Sequence, residues 1–113
     1  MSSYYSGSVS QLDLSKLAML LPDQGCIELQ QDKPCHTHDW HQHDINETLI
    51  IIKGRIIFSI GDDVITCGPG EYVMLPAGTR HKSTSSEFGC IYAICFQDVR
   101  KALYQEMREQ NHD

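Results

Sequence analysis

The chain has 113 residues, with nine basic against fifteen acidic side chains, a formal charge of −6 when all six histidines are neutral. That length fits one small domain, and 41% hydrophobic with 21% charged residues is the composition of a folded globular protein rather than a disordered or fibrous one. With no basic run longer than Arg100-Lys101 there is no electrostatic footprint for nucleic acid or an anionic membrane, so neither is expected as a partner.

Residues 1–10 are serine-rich, lack an apolar period and read as a loose arm. They show neither the positive nor the apolar region of a secretory leader, and the five cysteines form no C-x-x-C pair and are odd in number; a cytoplasmic location is expected. Between Gln11 and Leu21, Leu14, Leu17 and Leu20-Leu21 fall at helical spacing behind Asp13 as N-cap, and Pro22 forbids continuation. From Gly25 onward the pattern changes to short apolar runs, read as strands at 26–30, 40–43, 47–52, 55–60, 64–67, 72–75 and 90–96. Lys53-Gly54, Gly61-Asp62-Asp63, Gly68-Pro69-Gly70 and Pro76-Ala77-Gly78 supply the breaks. Short strands with no helices between them predict an all-β antiparallel sandwich or barrel. Leu49 to Ile52 is apolar on both parities, as in a strand covered on both faces. No apolar run approaches the roughly 20 residues of a membrane span. Asp98 is read as the cap of a C-terminal helix with Val99, Ala102, Leu103 and Met107 in one stripe. The layout is thus an arm and short helix over 1–24, a β-barrel over 25–97 and a helix over 98–113. The small core and the apolar outer face lead us to expect a homodimer.

Two spans carry chemistry. Residues 35–47, Cys35-His36-Thr37-His38-Asp39-Trp40-His41-Gln42-His43-Asp44-Ile45-Asn46-Glu47, hold four of the six histidines. On a strand His41 and His43 project from one face while Trp40 and Gln42 point to the other, and after a turn Glu47 heads the next strand. Two imidazoles and a carboxylate are a borderline N/O set that suits a first-row transition metal. In the second span, residues 70–81, a strand closes in Pro76-Ala77-Gly78 and delivers His81 at a rigid corner as a fourth ligand.

These spans resemble the two motifs of the cupin family. The first motif, G-x5-H-x-H-x3/4-E-x6-G, is met by His41, His43, Glu47 and Gly54, with Cys35 in place of the opening glycine. The second, G-x5-P-x-G-x2-H-x3-N, is met by Gly70, Pro76, Gly78 and His81, with Ser85 in place of asparagine. The resemblance implies a jelly-roll, an antiparallel double-stranded β-helix. It also implies a divalent transition metal (Fe, Mn, Ni or Zn) held by His41, His43, Glu47 and His81. Cys35 is expected to pack as a small hydrophobe, and His36 and His38 fall outside the family's ligand pattern. A zinc knuckle using Cys26, Cys35 and clustered histidines is a weaker reading, because paired knuckle spacing is missing.

A metal held by three imidazoles and one carboxylate keeps open positions, as catalytic rather than structural centres do. The expected function is a small metalloenzyme acting on a small organic substrate: with iron the resemblance implies a dioxygenase, and with another metal a Lewis-acid isomerase or lyase is equally open. The alternatives are a non-catalytic module binding a sugar or small acid, and a metal that only staples the core. Glu47 is a candidate base as well as a ligand, and Arg80 a candidate contact to an anionic substrate, the other reading being a solvated turn residue. One carboxylate against a divalent cation gives a local charge of about +1, a positive pocket in an acidic chain. Tyr72 and Tyr92 are candidates for the pocket wall, with packing the role expected first, and Trp40 is read as sheet packing or a dimer contact.

Overall fold

The structure is a computed structural model in which residues 4–9 and 13–97 are described. Seven strands alternate with one short helix: β1 (Tyr5–Ser8), α1 (Leu14–Met19), β2 (Ile27–Asp32), β3 (Thr37–His41), β4 (Glu47–Ile60), β5 (Asp63–Cys67), β6 (Glu71–Leu75) and β7 (His81–Cys95). The C-terminal helix read over 98–113 lies outside the described residues. No helix among the described residues is long and apolar enough to cross a membrane.

Every strand pair is antiparallel, and the two longest strands form the spine. The first half of β4 pairs with β6 on one side and with the second half of β7 on the other, and β1 and β2 extend these edges. The second half of β4 pairs with β5 and with the first half of β7, which in turn carries β3. Two sheets therefore share β4 and β7, as in a jelly-roll. The bend falls where the β4–β7 register shifts, between Ile51 and Lys53 and between Gly54 and Ile56. Gly54 and Gly89 meet there at φ of +83° and +80°, so close that a side chain on Gly54 would strike the Gly89 carbonyl.

The main core lies between the sheets and includes Leu49, Ile51, Ile56, Phe58, Ile60, Val73, Leu75 and Ile94. Ile50, on the opposite parity, is fully buried in a second cluster with Val9, Leu20 and Cys95. The double-sided burial expected of Leu49 to Ile52 thus holds for its first three residues, and Ile52 is exposed. Asp13 caps α1, accepting a hydrogen bond from the Lys16 N–H at 3.0 Å.

Three expectations are corrected. The arm is not wholly loose, because Tyr5–Ser8 pairs with β6; its serine and glycine conceal a strand whose four residues are all exposed. Lys53-Gly54 is no turn but a bulge inside one 14-residue strand, since the positive φ of Gly54 bends the chain without reversing it. Residues 81–89, unassigned in the sequence, form the first part of β7. There Ser83 and Ser85 take the inward positions, so hydropathy gives no alternation to detect.

The two departures from the motifs are accommodated locally. Cys35 adopts φ +56°, the left-handed conformation that glycine would take without strain. It is exposed rather than packed. Ser85 accepts from the His36 N–H at 2.9 Å and donates to the Lys33 carbonyl at 2.7 Å, pinning the turn that leads into β3.

Candidate metal centre

The strand expected at 40–43 instead runs from Thr37 to His41, so His43 lies just beyond it. The chain leaves the sheet edge there because the next partners come from the turn after β6. Gly78 N–H donates to the His43 carbonyl at 2.8 Å, and Ala77 N–H to Asn46 Oδ1 at 3.1 Å. Those two bonds tie the loop carrying His43 and Glu47 to the turn preceding His81. Asn46 is a positioning residue that the motifs do not mark.

His41, His43 and His81 converge. Their ring centroids lie 4.2 Å (His41–His81), 4.9 Å (His41–His43) and 5.7 Å (His43–His81) apart, and one ring nitrogen from each falls within 4.8 Å of the others. Glu47, 5% exposed at the head of β4, places Oε2 3.3 Å from His43 Nε2. The three histidines are thus brought to one place, with Glu47 beside His43 but outside the group whose ligand atoms all lie within 4.8 Å of one another.

The tautomers fit a metal. His41 Nδ1 stands 2.6 Å from the Asp39 carbonyl and His81 Nδ1 2.9 Å from that of Thr79. A carbonyl only accepts, so each Nδ1 carries the proton and each Nε2 keeps its lone pair free, the orientation that outer hydrogen bonds give to metal-binding imidazoles. Burial lowers the His81 pKa, with the nearby imidazoles adding to the effect and the Thr79 carbonyl opposing it, so its neutral form is favoured. Burial likewise raises the Glu47 pKa, partly offset by His43 and His41. Among the described residues no cysteine joins a potential ligand cluster, which removes the zinc-knuckle reading. Cys67, Cys90 and Cys95 have thiols pushed by burial up to about 11, out of the thiolate range.

The carboxylate makes an opposing contribution to stability and binding. Because folding raises the Glu47 pKa, the metal-free native state holds this proton more tightly than the unfolded chain. Its contribution to stability therefore falls as pH rises from the unfolded value of 4.5 through the raised native one. Glu47→Gln is expected to melt higher than wild type at pH 7–8 without metal, with the advantage gone below the unfolded value. Its metal affinity should drop by at least the 10–100-fold typical of losing an outer partner. Thermal melts across pH and a metal titration of the same variant check both halves.

The cluster opens onto a cavity of about 280 Å³ between the sheets. Leu49, Phe58, Ile94 and Phe96 form its apolar wall, and Glu28, Gln30, Ser83 and Tyr92 its polar one. Both tyrosines pack as expected, Tyr92 in the main core cluster and Tyr72 against the second, and Tyr92 also lines the cavity. Arg80 is exposed and does not line the cavity; its guanidinium stands 6.0 Å from the Trp40 ring centroid, opposite Lys82 at the same distance. His38 does line the cavity, although the motifs pass over it. The register irregularity between His38 and His41 overrides the parity that would send residues three apart to opposite faces.

The cupin domain family model matches residues 28–88, more than half of the chain and all of the region that builds the site except its end at Gly89–Phe96. A search of curated proteins finds no match. Among solved structures, a cupin-2 domain protein from Shewanella frigidimarina is 28% identical over 60% of this chain and 65% of its own, with a TM-score of 0.54. A cupin superfamily protein from Desulfitobacterium hafniense is 17% identical over 85% of this chain and 79% of its own, at TM-score 0.58. A variant oxalate decarboxylase from Bacillus subtilis is 24% identical over 62% of this chain but 20% of its own, at TM-score 0.58. The jelly-roll topology, the two motifs and the family match agree, and the chain belongs to the cupin domain family.

Proposed function

We propose that the protein is a metal-dependent enzyme acting on a small, metal-chelating organic acid. The observation that carries this reading is the convergence of three imidazoles, two with Nδ1 committed to carbonyls, on a cavity wall beside a buried carboxylate. The donor set fits a divalent first-row metal, held by His41, His43, Glu47 and His81. When bound, that metal supplies Lewis-acid activation of a chelated oxygen or, as iron, a place for dioxygen.

The chain's own residues do the rest. A cavity of about 280 Å³ admits a small molecule and little more. Leu49, Phe58 and Ile94 exclude water around the reacting carbons, and Gln30 offers amide donors to a substrate oxygen. Glu47, buried at the cavity wall, is placed either to hold the metal or, displaced from it, to take or return a proton within the cavity. The fold likeness to an oxalate decarboxylase agrees with a small carboxylate as substrate class.

Protein loaded separately with Fe(II), under anaerobic conditions, and with Mn(II), Ni(II) or Zn(II) is to be given a panel of small mono- and dicarboxylates. Turnover, followed by substrate loss and O2 uptake, is expected with at least one pair and should vanish in His81→Ala. An acid that perturbs the metal's spectrum yet is recovered unchanged under every loading would identify a binding module instead and overturn the enzymatic reading.

A further inference from the structure

The first centre is built from two imidazoles two residues apart, His41 and His43, met by a ligand from the neighbouring strand β7. The same construction occurs a second time. His36 and His38, also two apart, place their rings 4.7 Å apart edge to face, and Asp32 at the end of β2 meets them. One ligand atom from each of these three residues lies within 4.8 Å of the others, as in the first cluster.

The carboxylate is the distinctive member. Asp32 is 6% exposed, and among the described residues no lysine or arginine pairs with it. Its Oδ1 lies 3.0 Å from His38 Nε2, and both oxygens lie 3.2 Å from the Tyr92 hydroxyl, whose one proton also has Gln30 Oε1 within reach at 3.3 Å. Lone pairs are left over on both oxygens. A buried carboxylate is costly without a cation, and one oriented by an outer hydroxyl is arranged as metal-binding carboxylates are. The histidines are held as firmly. Ser85 bonds the His36 backbone on both sides, receiving its N–H on Oγ at 2.9 Å and donating its own N–H to the His36 carbonyl at 2.9 Å. The Thr37 and Thr84 hydroxyls meet at 3.0 Å beside it.

We propose that Asp32, His36 and His38 form a second site for a divalent transition cation, distinct from the first and sharing its cavity through His38, which lines the wall. Two imidazoles and one carboxylate suit Zn(II), Co(II), Fe(II) or Mn(II) and leave coordination positions open. The proposal does not depend on the reaction at the first centre.

Zinc titration of the full chain after chelator treatment, followed by equilibrium dialysis, tests it. Wild type should take up two equivalents, Asp32→Asn and His36→Ala one each, His81→Ala one, and Asp32→Asn combined with His81→Ala none. His36 is half-buried between a turn and β3, so His36→Ala provides a variant that leaves the buried carboxylate in place; circular dichroism checks both. Wild type saturating at one equivalent that Asp32→Asn and His36→Ala leave in place would overturn the proposal and reduce the cluster to a His38–Asp32 ion pair. Two equivalents undiminished by either variant would overturn it as well. Failure of the first centre reads differently, as a zinc count that His81→Ala does not change.

Discussion

Replacing His81 by alanine is expected to weaken metal binding at the first centre by at least a hundredfold while leaving the fold in place. The residue opens β7, is 3% exposed and directs Nε2 toward His41 and His43, because Nδ1 is spent on the Thr79 carbonyl. Loss of an outer partner alone typically costs 10–100-fold in metal affinity, so loss of a ligand should exceed that. The removed ring faces a cavity rather than the apolar core, and the two-sheet core from Leu49 to Ile94 is untouched. Competition titration against a chromophoric chelator gives the affinity, and a melt of the metal-free protein reports on the fold. A change of less than threefold would remove His81 from the ligand set.

The largest effect on stability is expected at Gly54. Its methyl in Gly54→Ala would run into the Gly89 carbonyl and crowd the Cys90 backbone at 3.0 Å, and at φ +83° an L side chain is strained in any case. Neither neighbour can yield cheaply, since a Cβ on Gly89 would itself stand 2.7 Å from the Asp32 carbonyl, showing three backbones stacked at the bend. We expect a loss of about 3 kcal/mol, which lowers the melting temperature by about 15 °C in a domain of this size. Gly78 is the matched control. It has the same φ with nothing within 4 Å of its Cβ position, so Gly78→Ala should cost only the conformational penalty of about 1 kcal/mol. Equal losses in the two variants, measured by urea denaturation, would show that the close approach at the bend contributes nothing.

The contrast between these glycines shows where the sequence was legible. Gly54 and Gly78 both stand in the cupin motifs, and the motifs located the four candidate ligands because fixed gaps between them reflect fixed backbone paths. The β-rich pattern and the capped helix behind Asp13 were equally readable, since apolar runs, turn residues and an N-cap act locally. What stayed hidden depends on pairing between distant segments. Pairing with β6 makes Tyr5–Ser8 a strand, and pairing with β4 and β3 makes a strand of the polar run from Lys82 to Ser85. Asp32 and His38 went unmarked for the same reason: the meeting of Asp32 with Tyr92 spans 60 residues of chain, and His38 shares the cavity with His41 only through the irregularity between them. Arg80, plausible as an anion contact beside His81, takes the opposite parity and faces Trp40.

The carboxylate energetics and the ring tautomers point the same way. A protein that buries Glu47 beside His43 carries a destabilising group at neutral pH unless a cation joins it. The most direct test is a crystal of the protein purified without added metal, with anomalous diffraction recorded on both sides of each first-row absorption edge. A peak bound by Nε2 of His41 and His81, by a His43 ring nitrogen and by the Glu47 carboxylate is the predicted result. A cavity that shows no anomalous signal there, even after soaking with Mn(II), Fe(II) and Zn(II), would contradict it.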